Sequence, residues 1–228
     1  MRRLLVIPAR QGSKRIKNKN IKIFCGKPII AYSLKLAKEC RIFDTIHIST
    51  DSIKIKKIVE KYGPKVEFLR PKKISGDYTP IISVLRYVYD YYKKKKIFFD
   101  EIWSLSACSP LLKKIDLISA SRLLRNNKKR IVLSITEYST PIEWAFKINK
   151  KNYLEPIKKS SYKLRSQDIP KKYHDAGAFV GIPVNFFSKK KFDFDKYYIG
   201  NIIDKDRVID IDNISDWKIA EAMYKKFN

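Results

Sequence analysis

The sequence has few of the residues that form disulfide scaffolds or metal centres. Its 228 residues include only three cysteines and two histidines. The cysteines (Cys25, Cys40 and Cys108) leave an odd count and form no C-x-x-C pair, which argues against a disulfide framework and a zinc site. His47 lies in an apolar strand pattern that gives it a structural role. We therefore expect the fold to depend on a hydrophobic core, for which the chain is long enough.

Long apolar runs are also missing from the chain. No stretch of 18 apolar residues occurs, so we predict no membrane-spanning helix. The first apolar run covers only residues 4–7, and cations follow where a secretory signal would need small residues before its cleavage site. We expect a cytoplasmic protein that has no membrane partner.

Acidic residues are scarce, with 23 Asp and Glu against 50 Lys and Arg and a formal net charge of +27. Such an excess suggests nucleic acid as a partner. The lysines, however, are spread over every segment, and runs such as residues 93–96 and 189–191 lie beside turns. No helix-turn-helix, zinc-finger or RNP motif accompanies them. We therefore expect anionic small substrates and no specific nucleic acid, with a basic nucleic-acid-binding protein as the non-enzyme alternative.

Strand-like and helix-like patterns alternate along most of the chain. Apolar or alternating segments predict strands at residues 4–7, 45–50, 66–69, 102–107, 131–136, 179–182 and 208–211. Amphipathic segments predict helices at residues 29–40, 53–62, 80–96 and 115–126, and a closing helix capped by Ser215. Such alternation predicts an α/β fold with a mainly parallel sheet, whose ligands bind at the carboxyl ends of the strands. Arg10, Asp51, Arg70 and Ser106 all fall there.

The alternation stops between residues 138 and 173, where aromatic, proline and basic residues follow no regular period. A segment of this length is too long for an ordinary connection within a compact domain. No repeat or flexible linker divides the chain. We therefore predict one domain over residues 1–228 with an inserted arm over residues 138–173.

The first strand continues into a loop that is rich in cations. After Pro8 the chain has the sequence A-R-Q-G-S-K-R-I-K-N-K-N. Such a loop can place backbone N–H groups and fixed positive charge around phosphates, and the next helix can add its dipole. It matches neither the Walker A pattern nor G-x-G-x-x-G. The alternative is a solvated basic loop without a ligand.

Two carboxylates occur near the end of the chain, at Asp210 and Asp212. On a strand, residues two apart face the same side, while Ile209 and Ile211 face the other. Like charges so placed repel each other unless a cation lies between them, and Mg²⁺ prefers such oxygen ligands together with substrate phosphates. The alternative is a solvated strand end beside Arg207.

Several patterns recur in a fixed order along the chain. The opening has the form I-P-A-R-x-G-S-K-R-I-x-x-K-N, and it is followed by S-T-D at residues 49–51, F-L-R-P at 68–71, R-S-Q-D at 165–168, Y-H-D-A-G at 173–177 and D-I-D-N at 210–213. Together they resemble the acylneuraminate cytidylyltransferases, which join CTP to nonulosonic (sialic-type) sugars. The resemblance implies a Rossmann-like three-layer sandwich of the nucleotide-diphospho-sugar transferase type. It also implies a homodimer, with the arm as a dimer contact that borders the sugar site.

The resemblance further implies roles for individual residues. Nucleotidyl transfer from CTP to the sugar's anomeric hydroxyl would release pyrophosphate, with Mg²⁺ held by Asp210 and Asp212. Catalytic charge is expected from Arg10, Lys14 and Lys19. Nucleotide binding is expected from Ala9, Arg10, Gly12, Ser13, Lys14, Lys19, Asn20, Arg70 and Asp77. Sugar binding is expected from Ser106, Arg165, Gln167 and His174.

Some of these residues also have purely structural explanations. The alternative interpretation of Arg70 and Arg165 is that they are exposed cations without a ligand. For Asn20 the alternative is a residue that only closes a turn. His174 is alternatively a structural polar residue. Asp51 can help at the nucleotide, but as a helix cap it needs no such role.

One stretch departs from part of the family. Enzymes making CMP-N-acetylneuraminic acid have an L-Q-P-T-S-P-L-R type stretch whose glutamine reaches the sugar, whereas this chain has L-S-A-C-S-P-L-L at residues 105–112. The Ser106 side chain is too short to reach the sugar group that the glutamine contacts. Losing a hydrogen-bonding side chain from a site changes which sugar the site accepts. The stretch resembles that of the pseudaminic acid cytidylyltransferases, as does F-C-G-K-P at residues 24–28. We therefore expect pseudaminic acid, with N-acetylneuraminic, legionaminic and KDO-type sugars as alternatives.

Overall fold

The computed structural model describes residues 1–158, 164–188 and 194–227. The strands in chain order are β1 Arg3–Pro8, β2 Ile23–Phe24, β3 Lys27–Pro28, β4 Thr45–Ser49, β5 Glu101–Leu105, β6 Ile131–Glu137, β7 Phe146–Ile148, β8 Leu154–Pro156, β9 Tyr173–Pro183 and β10 Tyr198–Ile202. The α-helices are α1 Ile29–Glu39, α2 Ile53–Val59, α3 Ile81–Lys94, α4 Lys114–Asn126 and α5 Ile214–Phe227. The predicted α/β class is confirmed.

Six strands form one central sheet in the order β10-β6-β9-β5-β1-β4. The pairs β1–β4, β1–β5 and β10–β6 are parallel, whereas β9 runs antiparallel to both of its neighbours. The sheet is therefore mainly parallel, as predicted. The carboxyl ends of β1, β4 and β5 lie at the same end of the sheet. Because Leu105 pairs with Phe179, the residues of β9 before Phe179 extend beyond that end.

Alternating residues of the central strands pack on opposite faces of the sheet. Leu5 and Ile7 of β1 pack with α1, α2 and α4 on one face, while Leu4 and Val6 pack with α3 on the other. Helix α5 packs outside this core through Trp217 and Ala220. The result is the expected three-layer arrangement of helices, sheet and helix.

Two predicted strands are wrong. Residues 66–69 show alternating burial and residues 208–211 do not, and neither segment pairs with a described strand. The former lies beyond the edge strand β4, and past it Arg70 N donates to the Thr50 carbonyl at 2.7 Å. Strand β10 was not predicted, and β9 begins well before the predicted residue 179.

The central sheet is irregular where β6 meets β9. Leu133 pairs with Val180 but Ile135 pairs with Asp175, so β9 carries extra residues between these two pairs. The Ser134 hydroxyl accepts hydrogen bonds from Ala178 N and Phe179 N, at 3.2 and 3.0 Å, in place of a backbone carbonyl. Gly177 has a φ of 61° within this bulge, which glycine adopts at low cost.

Between β6 and β9 the chain leaves the central sheet. The described part of this segment contains the hairpin of β7 and β8, and residues 159–163 lie outside the described structure. Helix α5 is capped by Asn213, whose Oδ1 accepts from Ser215 N and Asp216 N at 2.8 and 3.0 Å, so the predicted Ser215 cap is wrong. In the described ranges, no helix has both the length and the apolar character needed to cross a membrane.

Candidate active site

A cavity of about 510 Å³ opens beside the loop that follows β1. We call it the loop cavity. It brings together eight of the predicted site residues, namely Arg10, Ser13, Lys14, Lys19, Asn20, Arg70, Asp77 and Asp212. Four of these eight residues are Lys or Arg and two are Asp, so the cavity suits a polyanion.

 The four cations are Arg10, Lys14, Lys19 and Arg70, and Arg15 adds a fifth from outside the predicted set.

Hydrogen bonds to neighbouring elements fix the loop itself. Asn20 Nδ2 donates to the Arg10 carbonyl at 2.9 Å and closes the loop from within. The Asp51 carboxylate, just beyond β4, accepts from Gln11 N at 2.9 Å. Ser52, rather than Asp51, caps α2 by accepting from Ile55 N at 3.4 Å. The acidic residue after β4 therefore holds the cationic loop in place.

The expected contribution from the next helix is wrong. The loop passes into a single 3₁₀ turn, Lys19–Ile21, and then into the β2–β3 hairpin before α1 begins. The first turn of α1 is buried and lines neither large cavity. The cations of the loop cavity are side chains, and the dipole of α1 is not directed into it.

Asp77 balances two of these cations. Its carboxylate forms ion pairs with Arg10 and with Lys14, the latter at 2.6 Å between Nζ and Oδ2. Hydrogen bonds from Lys14 and Arg10 lower the pKa of Asp77. Asp77 thus keeps Arg10 and Lys14 at the cavity wall without a bound anion.

Arg70 lies in the same wall and is 5% exposed. Within the described part of the chain, its Nε and Nη2 atoms are buried without a hydrogen-bond partner. Burial lowers the pKa of the guanidinium, and the nearby Arg10 lowers it further against the opposing effect of Asp51. Buried donors without partners are costly, so this side chain is prepared for an acceptor that enters the cavity.

A second cavity of about 550 Å³ lies over the sheet, and we call it the sheet cavity. Its walls come from the loop after β5, the bulged start of β9 and the first turn of α3, and include Ser106, Ala107, Asp175, Phe179 and Ile81. Pro8, Lys19, Asn20 and Ile81 line both cavities, so the two adjoin. Two ligands can therefore meet at this boundary.

The predicted carboxylate pair lies at that boundary. Asp210 lines the sheet cavity and Asp212 lines the loop cavity. Asp212 pairs with Arg15 at 2.7 Å and with Lys19 at 3.6 Å. Asp210 forms no ion pair with another described residue, and burial followed by repulsion from Asp212 raises its pKa. No strand forms here, and Ile209 and Ile211 line the sheet cavity together with Asp210, so the predicted separation of the carboxylates and the isoleucines onto opposite faces is not maintained.

Comparison with known proteins identifies the family. The cytidylyltransferase family profile matches residues 4–226. The pseudaminic acid cytidylyltransferase of Campylobacter jejuni is 36% identical over 225 residues, covering 99% of this chain and 97% of that protein. The chain belongs to the cytidylyltransferase family. The CMP-N,N'-diacetyllegionaminic acid synthase of Legionella pneumophila is 27% identical, with 98% and 96% coverage.

The structural comparison concerns the fold of this cytidylyltransferase alone. A CMP:2-keto-3-deoxy-manno-octonic acid synthetase solved with CTP superposes with a TM-score of 0.72 at 15% identity, over 100% of both chains. This match agrees with the predicted fold class. The resemblance to the acylneuraminate cytidylyltransferases is confirmed by the family profile and the full-length relatives.

The carboxylate pair of this cytidylyltransferase fits Mg²⁺. No group of three or more His, Cys, Asp or Glu side chains that could hold a metal occurs among the described residues. Asp210 and Asp212 supply two carboxylates beside a cationic cavity. Mg²⁺ is usually held by one or two carboxylates together with waters and substrate phosphates, and does not need a complete protein cage.

Five predicted residues line neither cavity. Ala9 is buried and its N–H donates to the Ser49 carbonyl at 2.9 Å, and Gly12 lies in the exposed bend of the loop. Arg165 pairs with Asp168 at 2.9 Å, and Gln167 lies in the same 3₁₀ turn. His174 packs against Tyr138 with ring centroids 4.7 Å apart. Their assignment to substrate binding stays a prediction.

Two residues of the sheet cavity have roles that sequence reasoning missed. Asp175, next to His174, lines the cavity, and its Oδ1 accepts from Gly177 N at 2.7 Å. Cys108 also lines it and donates to Asn20 Oδ1 at 3.4 Å. Burial raises the pKa of the Cys108 thiol to about 12, so it stays protonated and is not a nucleophile.

Proposed function

We propose that this cytidylyltransferase transfers CMP from CTP to the anomeric hydroxyl of a nonulosonic acid and releases pyrophosphate, with Mg²⁺ as its metal. The observation that carries the proposal is the meeting of a cationic cavity and a largely apolar cavity at Lys19, Asp210 and Asp212. The named activities of the full-length relatives agree with it. Family membership favours an enzyme over a nucleic-acid-binding protein.

The loop cavity suits the nucleotide. Arg10 and Lys14 are held at its wall by Asp77, and the triphosphate would replace that carboxylate as their partner. Arg70 offers buried donors to an acceptor of the nucleotide. Lys19 is fixed at the boundary by its hydrogen bond to the Ile211 carbonyl and would lie nearest the reacting phosphate. Fixed cations of this kind stabilise the charge that develops on a transferring phosphoryl group.

The chemistry needs positioning rather than a covalent intermediate. The sugar's anomeric oxygen forms a bond to the α-phosphorus, the bond to the pyrophosphate oxygen breaks, and the hydroxyl proton is released. Asp210 and Asp212 would hold Mg²⁺, which neutralises phosphate charge when it is bound. The sheet cavity orients the sugar, and the loop cavity orients the nucleotide.

The sheet cavity favours a sugar with few hydroxyl groups. Ser106 lines it in place of a longer amide side chain, and Ala107, Phe179 and Ile81 add apolar walls. Ser106 cannot make the hydrogen bond that a longer amide side chain would make, so the site does not select for a sugar group that needs that bond. We therefore propose pseudaminic acid, a tetradeoxy diacylamino sugar, as the preferred substrate.

Pyrophosphate release with each of the four NTPs and a panel of nonulosonic acids tests both proposals. We expect turnover with CTP and a preference for pseudaminic acid over N-acetylneuraminic acid, because the apolar walls and Ser106 match the former. Legionaminic acid and KDO serve as the comparison sugars. Equal or better use of N-acetylneuraminic acid would show the sugar assignment to be wrong. Turnover with another NTP in place of CTP would refute the nucleotide assignment.

We also propose that the chain forms a homodimer through the β7–β8 hairpin. Ile148, Tyr153 and Leu154 of this hairpin are 67%, 65% and 61% exposed, which is unusual for adjacent apolar side chains on a monomer. Light scattering is expected to give twice the chain mass at working concentration. The double change Ile148→Lys and Leu154→Lys should lower that mass toward the monomer, while Ile219→Lys, an exposed apolar site on α5, should not. A monomer mass for the unaltered protein would contradict the proposal.

A further inference from the structure

The segment that carries Asp210 and Asp212 is held without a β-ladder, since residues 208–212 belong to no described strand. On the α5 side, the Asp216 carboxylate accepts from Asp212 N and Asn213 N at 2.8 and 2.9 Å. Lys19 Nζ donates to the Ile211 carbonyl at 2.5 Å. These contacts hold the residues that follow Asp210, and a different interaction must hold the residues that precede it.

That side is fixed by an ion pair between Arg207 and Asp116, which lie 91 residues apart in sequence. Arg207 Nη1 and Nη2 donate to both carboxylate oxygens, at 2.5 and 2.9 Å. The side chains are only 15% and 5% exposed. The hydrogen bonds from Arg207 to Asp116 raise the pKa of the guanidinium. A bidentate contact of this kind fixes the orientation of the two side chains as well as the distance between them.

Asp116 is itself immobilised by the start of α4. Its Oδ2 accepts from Lys113 N at 2.7 Å, and its backbone carbonyl accepts from Asn201 Nδ2 at 3.3 Å. A gap of only about 10 Å³ lies between the segment containing Arg207 and the residues around Leu111. That volume is at the lower limit for one water molecule, so the segment has little room to shift while the pair is intact.

We propose that Arg207 and Asp116 form a positioning pair that fixes Asp210 and Asp212 at the boundary of the two cavities and so sets the affinity for Mg²⁺. The inference depends on the proposed function, because it assigns Mg²⁺ to these carboxylates. Neither Arg207 nor Asp116 lines either large cavity, so the pair acts through the segment and does not touch a substrate there. Without it, the contacts of Asp216 and Lys19 hold only one side of the segment.

The chain offers a closely matched control. Arg3 Nε donates to Glu101 Oε2 at 2.8 Å, and these side chains are 14% and 4% exposed. Arg3 begins β1 and Glu101 begins β5, and the site lies at the carboxyl ends of these strands. The control pair is therefore at the opposite end of the strands from the site. Arg207→Gln and Arg3→Gln therefore remove ion pairs of similar burial, and only the former is joined directly to the carboxylate segment.

Two quantities are measured for each protein. The first is the Mg²⁺ concentration that gives half-maximal turnover. The second is the rise in melting temperature that CTP produces with Mg²⁺, compared with the rise it produces with EDTA. For Arg207→Gln we expect about a tenfold higher half-saturating Mg²⁺ concentration, a smaller metal-dependent rise, and recovery of most of kcat at high Mg²⁺. Arg3→Gln should lower the melting temperature but leave both quantities unchanged.

The outcomes separate this proposal from the proposed function. If the unaltered protein shows no Mg²⁺-dependent effect on turnover or on melting with CTP, both fail. If it shows the effect and Arg207→Gln keeps the same Mg²⁺ dependence, only the positioning role is refuted. Should Arg207→Gln not fold, Arg207→Lys, which keeps the charge but not the two-pronged contact, must raise the half-saturating Mg²⁺ concentration by a smaller factor, and no rise refutes the role.

Discussion

Asp210→Asn and Asp212→Asn are each expected to lower kcat by about 100-fold or more while the fold persists. A metal bound at this boundary would contribute several kcal/mol to transition-state stabilisation, and about 1.4 kcal/mol corresponds to a tenfold change in rate. Neither carboxylate is part of the core. Asp210 forms no ion pair within the described structure, and the pairs that Asp212 makes with Arg15 and Lys19 are partly exposed and contribute little to stability.

Pyrophosphate release over a range of Mg²⁺ concentrations measures this prediction, and thermal unfolding verifies the fold. For Asp210→Asn the melting temperature without metal should not fall, because the change removes repulsion between two like charges. Asp206→Asn is the control, since Asp206 is an exposed carboxylate four residues earlier that lines neither cavity. Wild-type turnover by either boundary variant at limiting Mg²⁺ would exclude the metal assignment.

Replacing Arg70 by methionine is expected to raise the KM for CTP by about 10- to 100-fold and to make the free protein more stable. Hydrogen bonds to charged groups contribute about 1.5–3 kcal/mol, and each 1.4 kcal/mol is a tenfold change in affinity. The same guanidinium has two buried nitrogen atoms without partners in the described structure. Leaving such atoms unsatisfied costs about 1–3 kcal/mol each in the free protein, and a methionine of similar length removes that cost.

Urea unfolding without ligand and steady-state kinetics test the two halves of this prediction separately. Arg86→Met is the matched control, because Arg86 donates to the Phe187 carbonyl and stacks over the Phe187 ring away from both cavities. It should lower the free energy of unfolding and leave the KM for CTP unchanged. If Arg70→Met is destabilised as much as Arg86→Met with an unchanged KM, then Arg70 is a structural residue.

The sequence predicts the fold well where local pattern and pairing coincide. The segments that became β1, α1, β4 and α2 have the apolar period of their elements, and the structure contains all of them. Residues 66–69 also show alternating burial, but alternation indicates which side chains are buried and not whether the backbone has a partner strand. The antiparallel course of β9 was not predicted, because strand direction is a long-range property.

The candidate site shows the same division. Residues next to a predicted strand end, such as Arg10 and Ser106, line the two cavities because parallel strands bring their carboxyl ends together. Arg165 belongs to the arm, and no pattern in the sequence predicts where the arm lies relative to the sheet. The contact between Arg207 and Asp116 joins two helix-and-loop segments that are far apart in the chain, and no local signal marks such a pair.

The position of β9 between β5 and β6 imposes an order on folding. Strand β6 is made before β9 on the ribosome, yet it pairs only with β9 and β10 and never with β5. The first half of the chain can assemble β4, β1 and β5, but β5 must keep an open edge until residue 183 has been made. Pairing over such separations slows folding, and an open edge exposes backbone groups to other chains. Nascent chains that end after β6 should therefore be the species most dependent on chaperones.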